Sequence, residues 1–153
     1  MAFSLSSRDF SPGAAMPDQF TCFGRDMSPA LSWDDPPDGA GCFVLVCEDP
    51  DALKVPWMHW IMYNIPPAVR GLPQGVQHLK ILPDGSYQGR NDFGRIGYGG
   101  PCPPKGSLHR YFFRLYAIKG RLTLPPDSAR RDLARAINGQ VLGMAETYCT
   151  SSR

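Results

Sequence analysis

Proline and glycine set the grain of this chain. Sixteen of each are scattered through 153 residues. Both break regular structure, proline for want of an N–H donor and glycine through its backbone freedom. The apolar segments left between them are short, which favours strands over helices. Ala30-Leu31-Ser32-Trp33 is one such segment. Cys42-Phe43-Val44-Leu45-Val46-Cys47 is apolar throughout, the mark of a strand covered on both faces. His59 to Ile65 reads as a third strand, with His59, Ile61, Tyr63 and Ile65 on one face and Trp60, Met62 and Asn64 on the other. Tyr111 to Ile118 is a fourth, interrupted only by Arg114. Turn sequences such as Asp35-Pro36-Pro37-Asp38-Gly39 and Leu82-Pro83-Asp84-Gly85 separate these runs. The expected fold is therefore mainly β, two packed sheets of antiparallel or mixed strands in a single domain over residues 1–153. The C-terminal end is expected to differ. After Pro125-Pro126, with Asp127 and Ser128 as capping residues, Leu133, Ile137, Val141, Met144 and Tyr148 recur at helical spacing. Asn138-Gly139 interrupts them, so two short helices are predicted there.

The totals exclude several function classes. A net charge of +2 is too small for a nucleic-acid or anionic-membrane partner, which needs a concentrated basic face. The densest basic cluster, Arg130, Arg131 and Arg135, alternates with Asp127 and Asp132 and reads as a solvated helix face. No apolar stretch reaches the roughly 18 residues of a membrane span, and the first residues lack the basic and apolar regions of a signal peptide. The five cysteines are an odd number without a CxxC pair. Together these features predict reduced thiols and a cytoplasmic location. Cys42 and Cys47, five apart on one strand, are expected on opposite faces and so do not pair with each other.

Three segments gather polar groups where a strand protein usually has none. Glu48-Asp49-Pro50-Asp51-Ala52 directly follows the buried strand, and its carboxylates suit either a turn or a site. Val55-Pro56-Trp57-Met58-His59-Trp60 sets a histidine among aromatics at a strand start. Buried there, it needs partners for both ring nitrogens, whether it serves packing or binding. Gly97-Tyr98-Gly99-Gly100-Pro101-Cys102-Pro103-Pro104-Lys105-Gly106-Ser107-Leu108-His109 is a long loop rich in glycine and proline, ending in a second histidine. Glycines permit close approach of the backbone to a ligand, successive N–H groups can cradle an anion, and loops this long are usually functional. The chain has three histidines. If the strands are neighbours, His59, His109 and Asp49 meet at one sheet end. His78 has no such setting and is expected on the surface.

These residues resemble a known family, the phosphatidylethanolamine-binding proteins, in the bacterial branch called Raf-kinase-inhibitor-like. The resemblance runs in order along nearly the whole chain. It is carried by Asp49-Pro50-Asp51-Ala52, Pro56-Trp57-Met58-His59-Trp60, Asn64-Ile65-Pro66, Asn91-Asp92-Phe93-Gly94, Gly97-Tyr98-Gly99-Gly100-Pro101-Cys102-Pro103-Pro104 and His109-Arg110-Tyr111. It implies a large antiparallel sheet packed on a smaller one, short C-terminal helices, and an anion pocket without metal or other cofactor. The ligand-binding set it implies is Asp49, Asp51, His59, Gly100, Cys102, Pro103, His109 and Tyr111, with Tyr148 approaching from the C-terminal end. It also makes Val55–Pro56 a candidate cis bond, which X-Pro adopts most cheaply. Members bind phosphate-like head groups and small oxyanions, several inhibit kinases or proteases, and bacterial members are often homodimers, which makes a homodimer one expected partner. The chain departs from the family pattern at Leu53, where proline is usual, and at Thr147, where glycine is usual.

In such a pocket the histidines are the donors, and donate more strongly when charged. Asp49 would repel an anion it faced, so it is expected instead to orient a histidine and favour its protonated form. Backbone N–H groups from Gly99 to Cys102 are expected to add donors. The function read here is thus anion binding by a ligand-binding or inhibitory module, in which the pocket rim docks a kinase or protease partner's acidic or phosphorylated segment. The alternative is a hydrolase using Cys102 or Asp49 with a histidine base, although no nucleophile motif supports it. Zinc ligation by the His and Asp residues lacks HxxH or HExxH spacing.

Overall fold

The short strands assemble into two antiparallel sheets in a computed structural model that describes residues 2–153. The smaller sheet has the order β1 (Ser4–Ser6), β2 (Leu31–Asp34), β5 (Gly71–Leu72). The larger has the order β6 (Tyr87–Gln88), β4 (Trp57–Ile65), β3 (Cys42–Asp49), β7 (Leu108–Ile118), β8 (Val141–Ser152). One α-helix, α1 (Arg130–Ile137), lies on the larger sheet's outer face. Among the described residues no helix is long and apolar enough to cross a membrane.

Burial explains why the strands lie where they do. β3 is the central strand, and its alternate side chains feed two cores. Phe43, Leu45 and Cys47 enter the core between the sheets with Trp33, Trp60, Phe113 and Leu115. Cys42, Val44 and Val46 face the opposite way and pack with Ile61, Tyr63 and Leu133. The expected two-sided strand and the opposed cysteines are both seen. Each such side chain contributes roughly 1.5–3 kcal/mol on burial.

β4 departs from simple alternation in two places. While β3 advances from Phe43 to Leu45, its partner on β4 moves from Ile65 to Met62. From Cys47 to Glu48 the partner moves from Trp60 to Met58. Each step leaves one extra residue on β4, a β-bulge. At the first, Asn64 has φ +54° and its buried amide closes on Leu122, donating to O at 3.0 Å and accepting from N at 2.8 Å. The bulge turns Ile65 into the inter-sheet core with Trp60 and Met62, while Ile61 and Tyr63 lie in the outer one. The face assignment expected from strict alternation is thereby corrected.

The C-terminal segment is also corrected. Only α1 is helical. Gly139, at φ +77°, follows its end, and the chain resumes as strand β8, which pairs with β7 from Ile118↔Val141 to Leu108↔Ser152. The inward residues of β8 are small or polar: Ala145, Thr147, Cys149 and Ser151 are buried, whereas Val141, Leu142 and Met144 are exposed. Of the large residues at helical spacing, Leu133 and Ile137 do pack the inner face of α1 against the outer core, whereas Val141, Met144 and Tyr148 belong to the strand and mark no helical face. Neither Asp127 nor Ser128 caps α1, whose N-cap is Ala129 without a side-chain bond. Asp127 instead accepts from Arg90 at 2.8 Å, and Ser128 turns its hydroxyl to the Pro125 carbonyl. The arginine cluster is not wholly solvated either, for Arg130 bonds the Pro56 carbonyl and lies 3.4 Å from Asp92.

Candidate functional site

Antiparallel pairing dictates where the polar segments meet. β3 runs against both neighbours, so its C-terminal end lies between the starts of β4 and β7. Asp49 ends β3, His59 opens β4, and His109 and Tyr111 open β7. Phe93 enters from the Asn91–Gly94 turn and Cys102 from the glycine–proline loop. Together with Ala52, Leu53, Trp57 and Pro104 they enclose a cavity of about 240 Å³.

The second bulge of β4 places His59 there. The extra residue lets His59 and Trp60 both turn toward the inter-sheet side, and Met58 falls among the outer-core residues. His59 packs edge-on to Tyr111 and Phe93, with ring centroids 5.1 and 5.2 Å away. Its Nδ1 lies 2.6 Å from the Gly99 carbonyl. A carbonyl only accepts, so Nδ1 carries the proton and Nε2 is left for a ligand. Burial lowers the His59 pKa, opposed by the Gly99 carbonyl and the Asp49 charge.

His109 is held differently. Its Nδ1 donates to Asp49 Oδ2 at 2.5 Å. Asp49 is itself buried, and its Oδ1 accepts the Asp51 N–H at 2.8 Å. The carboxylate therefore meets donors on both oxygens and orients the His109 ring, whose Nε2 remains for a ligand. Tyr111 lies between the imidazoles. Burial, reinforced by the Asp49 charge, pushes its phenol pKa far up, so it stays an O–H donor. No Lys or Arg lines the cavity.

The remaining residues of the expected set lie outside the cavity lining. Asp51 forms a two-pronged pair with Arg110, to Nη2 at 3.0 Å and Nε at 3.1 Å, and also accepts the Arg110 backbone N–H. Tyr148 stacks on Phe112, 5.0 Å between centroids, and its register partner Phe112 points away from Tyr111 on the sheet. Pro103 is buried. Gly100 is buried and gives its N–H to Asp26 Oδ1 at 2.7 Å, while the Gly99 N–H goes to the His59 carbonyl at 2.9 Å. The two glycine N–H groups expected to face a ligand are thus spent within the protein. Gly100 serves close packing instead. A methyl group there would strike the Phe20 carbonyl oxygen and come within 2.5 Å of Asp26 Oδ1. Gly100→Ala is expected to cost about 1–3 kcal/mol by overpacking, read as a lowered midpoint in urea unfolding. An unchanged midpoint would show that the contact is not tight.

Cys102 corrects the thiol reading. It is bonded to Cys22, 80 residues earlier, while Cys42, Cys47 and Cys149 are free and buried. The odd count hid one bridge among three thiols. While that bridge is closed its sulfurs are not free nucleophiles, and both Asp49 oxygens already accept hydrogen bonds within the protein. All described peptide bonds are trans, Val55–Pro56 included. Residues 50–56 enter β4 as an open series of bends, with no tight reversal at Pro56 that needs a cis bond. His78 is exposed, as expected.

Sequence reasoning left Trp57, Phe93, Ala52, Leu53 and Pro104 out of the cavity lining. The available signal was the Asn-Asp-Phe-Gly turn. Asn91 Oδ1 accepts from Phe93 N at 3.0 Å and Arg95 N at 3.1 Å, and its Nδ2 donates to the Gly97 carbonyl at 2.9 Å. That lattice presents an exposed aromatic ring at the cavity mouth. Among the described residues no group of three or more His, Cys, Asp or Glu is arranged to hold a metal ion.

A five-stranded antiparallel sheet packed on a three-stranded one, with a two-histidine cavity at the end of its central strand, defines the class. The family model for phosphatidylethanolamine-binding protein matches residues 6–152, and the chain belongs to that family. It is 47% identical over 143 residues to a UPF0098 protein of Methanothermobacter thermautotrophicus, covering 94% of each chain. It is 40% identical to the UPF0098 protein YbhB of Escherichia coli, over 91% of this chain and 87% of that one. Among solved structures it matches the phosphatidylethanolamine-binding protein homologue CT736 of Chlamydia trachomatis, with TM-score 0.90, 36% identity, and 99% and 98% of the two chains covered. It also matches Escherichia coli YbcL, described as a member of the mammalian family, with TM-score 0.92, 32% identity and the same coverage.

Proposed function

We propose that the cavity binds a small oxyanion or phosphate-like head group between His59 and His109, making the chain a ligand-binding rather than a catalytic module. The observation that carries this reading is the Asp49–His109 pair facing a second imidazole across Tyr111. Each imidazole spends Nδ1 on a protein acceptor, so each Nε2 donates to an anion only when its ring is protonated. With no Lys or Arg in the lining, the cavity's positive charge comes from its imidazoles. Binding therefore takes up protons, and affinity falls as pH rises.

Sulfate is the suitable probe, because its charge is constant through the range in which histidine titrates. Calorimetric titration of the protein with sodium sulfate should show affinity falling as pH is raised across that range. Affinity that holds constant across that range would rule out the histidines as donors.

A further inference from the structure

The one disulfide among the described residues stands at the lip of this cavity. Cys22 and Cys102 are both exposed. The three free thiols, Cys42, Cys47 and Cys149, are at most 2% exposed. Exposed disulfides are the labile ones, open to an attacking thiolate.

The loop that carries Cys102 is unevenly tied. Up to Gly100 it is held by the Tyr98 hydroxyl on the Phe20 carbonyl at 2.7 Å, by Gly99 on His59 and by Gly100 on Asp26. Beyond that, the Cys22 N–H reaches the Pro101 carbonyl at 3.1 Å and the Gly106 N–H reaches the Arg153 carbonyl at 2.8 Å. Between those two bonds lie Cys102, Pro103, Pro104 and Lys105, where the Cys102 backbone bonds Tyr111 and the Pro104 carbonyl accepts from Ser107 N at 3.1 Å and Oγ at 2.7 Å, a turn within the loop itself. The prolines have no N–H to donate, and Cys102 and Pro104 form part of the cavity wall. The disulfide is the strongest tie on that stretch.

We propose that the Cys22–Cys102 bond is a thiol–disulfide exchange site whose substrate is a dithiol, and that its opening loosens the cavity wall. One thiolate of the dithiol attacks Cys22 Sγ. A new S–S bond forms there, the Cys22–Cys102 bond breaks, and its electron pair leaves on Cys102 Sγ as a thiolate. Cys102 is the better leaving group because it lines the cavity with the imidazoles of His59 and His109, nearby groups able to stabilise a departing thiolate, whereas Cys22 is outside that lining. The dithiol's second thiol loses its proton and attacks its own sulfur of the mixed disulfide. Cys22 is released as a thiolate and the dithiol departs oxidised. Two protons complete the two protein thiols, so the protein gains two electrons and the dithiol loses two.

The test uses dithiothreitol as the dithiol on the native wild-type chain, followed by iodoacetamide and peptide mass mapping. Two adducts are expected, on Cys22 and Cys102. Loosening is read at Trp57, which lines the cavity and is exposed where Trp33 and Trp60 are buried. Acrylamide quenching of its fluorescence should rise on reduction and return on reoxidation. Sulfate affinity should fall about tenfold, the equivalent of re-ordering one or two mobile side chains on binding. The double variant Cys22→Ser/Cys102→Ser should quench like the reduced protein. Where that variant does not fold, reversible reduction of the wild type decides. No adducts would overturn the exchange site. Adducts with unchanged quenching, or adducts also on Cys42, Cys47 or Cys149, would overturn local loosening. The affinity arm rests on the anion reading above, and an oxidised protein that never binds sulfate counts against that reading alone.

Discussion

Replacing His109 by asparagine should cost sulfate affinity about ten- to a hundredfold below pH 6, the equivalent of one charge-assisted hydrogen bond of roughly 1.5–3 kcal/mol. Asparagine is the informative substitute because its side-chain amide sits where the imidazole Nδ1 does. It can still donate to Asp49, whose Oδ2 would otherwise be left buried without a donor. Alanine would confound the loss of the anion donor with that burial penalty. What asparagine removes is the Nε2 donor and the titrating charge. The variant's affinity should also vary less steeply with pH, since the proton taken up by His109 on binding is gone. His59 then supplies the remaining slope. Its folded pKa lies below the ordinary histidine value because burial disfavours the charged ring, so the charged ring that sulfate needs forms at more acid pH than in an ordinary imidazole. The same depression has a sign for stability. The unfolded chain binds the His59 proton more readily than the folded one, so the free protein is stabilised above the ordinary histidine pKa and loses that stability as pH falls through the lowered value. Bound sulfate opposes that loss by favouring the charged ring. An asparagine variant that binds sulfate as tightly and as steeply with pH as the wild type would displace His109 from the site.

The parts of this arrangement legible in the sequence are those that leave a local mark. The unbroken apolar run of β3 needs burial on both faces, and it has it. The two histidines stand at strand starts beside turn-forming segments, and antiparallel pairing with β3 brings both starts to Asp49. The parts that were not legible depend on partners far along the chain. The bulge at His59 adds a residue without altering composition, so strict alternation put His59 on the face of Ile61 when the register shift turns it toward Trp60. β8 shows no alternation of large apolar residues, because its inner face is Ala145, Thr147, Cys149 and Ser151 against a core already filled from β7. Its exposed Val141 and Met144 mimicked a helical stripe. Asp51, Gly100 and Tyr148 stand near the site in sequence or by pattern, but their contacts are made elsewhere. Asp51 holds Arg110, Gly100 admits the Phe20 carbonyl, and Tyr148 stacks on Phe112.

Removing the disulfide by Cys22→Ser/Cys102→Ser should lower global stability by about 4 kcal/mol, more than any other change considered for this chain. The bridge joins residues 80 apart, and in the chain-entropy view a cross-link acts mainly by restricting the unfolded ensemble, the more so for longer loops. For a domain of this length such a loss lowers the melting temperature by roughly ten degrees or more. In the folded state the change should be confined to the loosened stretch from Cys102 to Lys105. Phe20 to Asp26 remain fastened to Tyr98 and Gly100 by hydrogen bonds that do not involve sulfur. This separates two origins for the stabilisation. If the bridge acts on the unfolded chain, its removal exposes more surface on unfolding, and the urea dependence steepens as the midpoint falls. If it acts by tightening the native loop, the midpoint falls with the slope unchanged, and amide exchange at Cys102 and Lys105 quickens by more than the global loss in β3. A midpoint and slope both equal to those of the oxidised wild type would show that the cross-link restrains neither state.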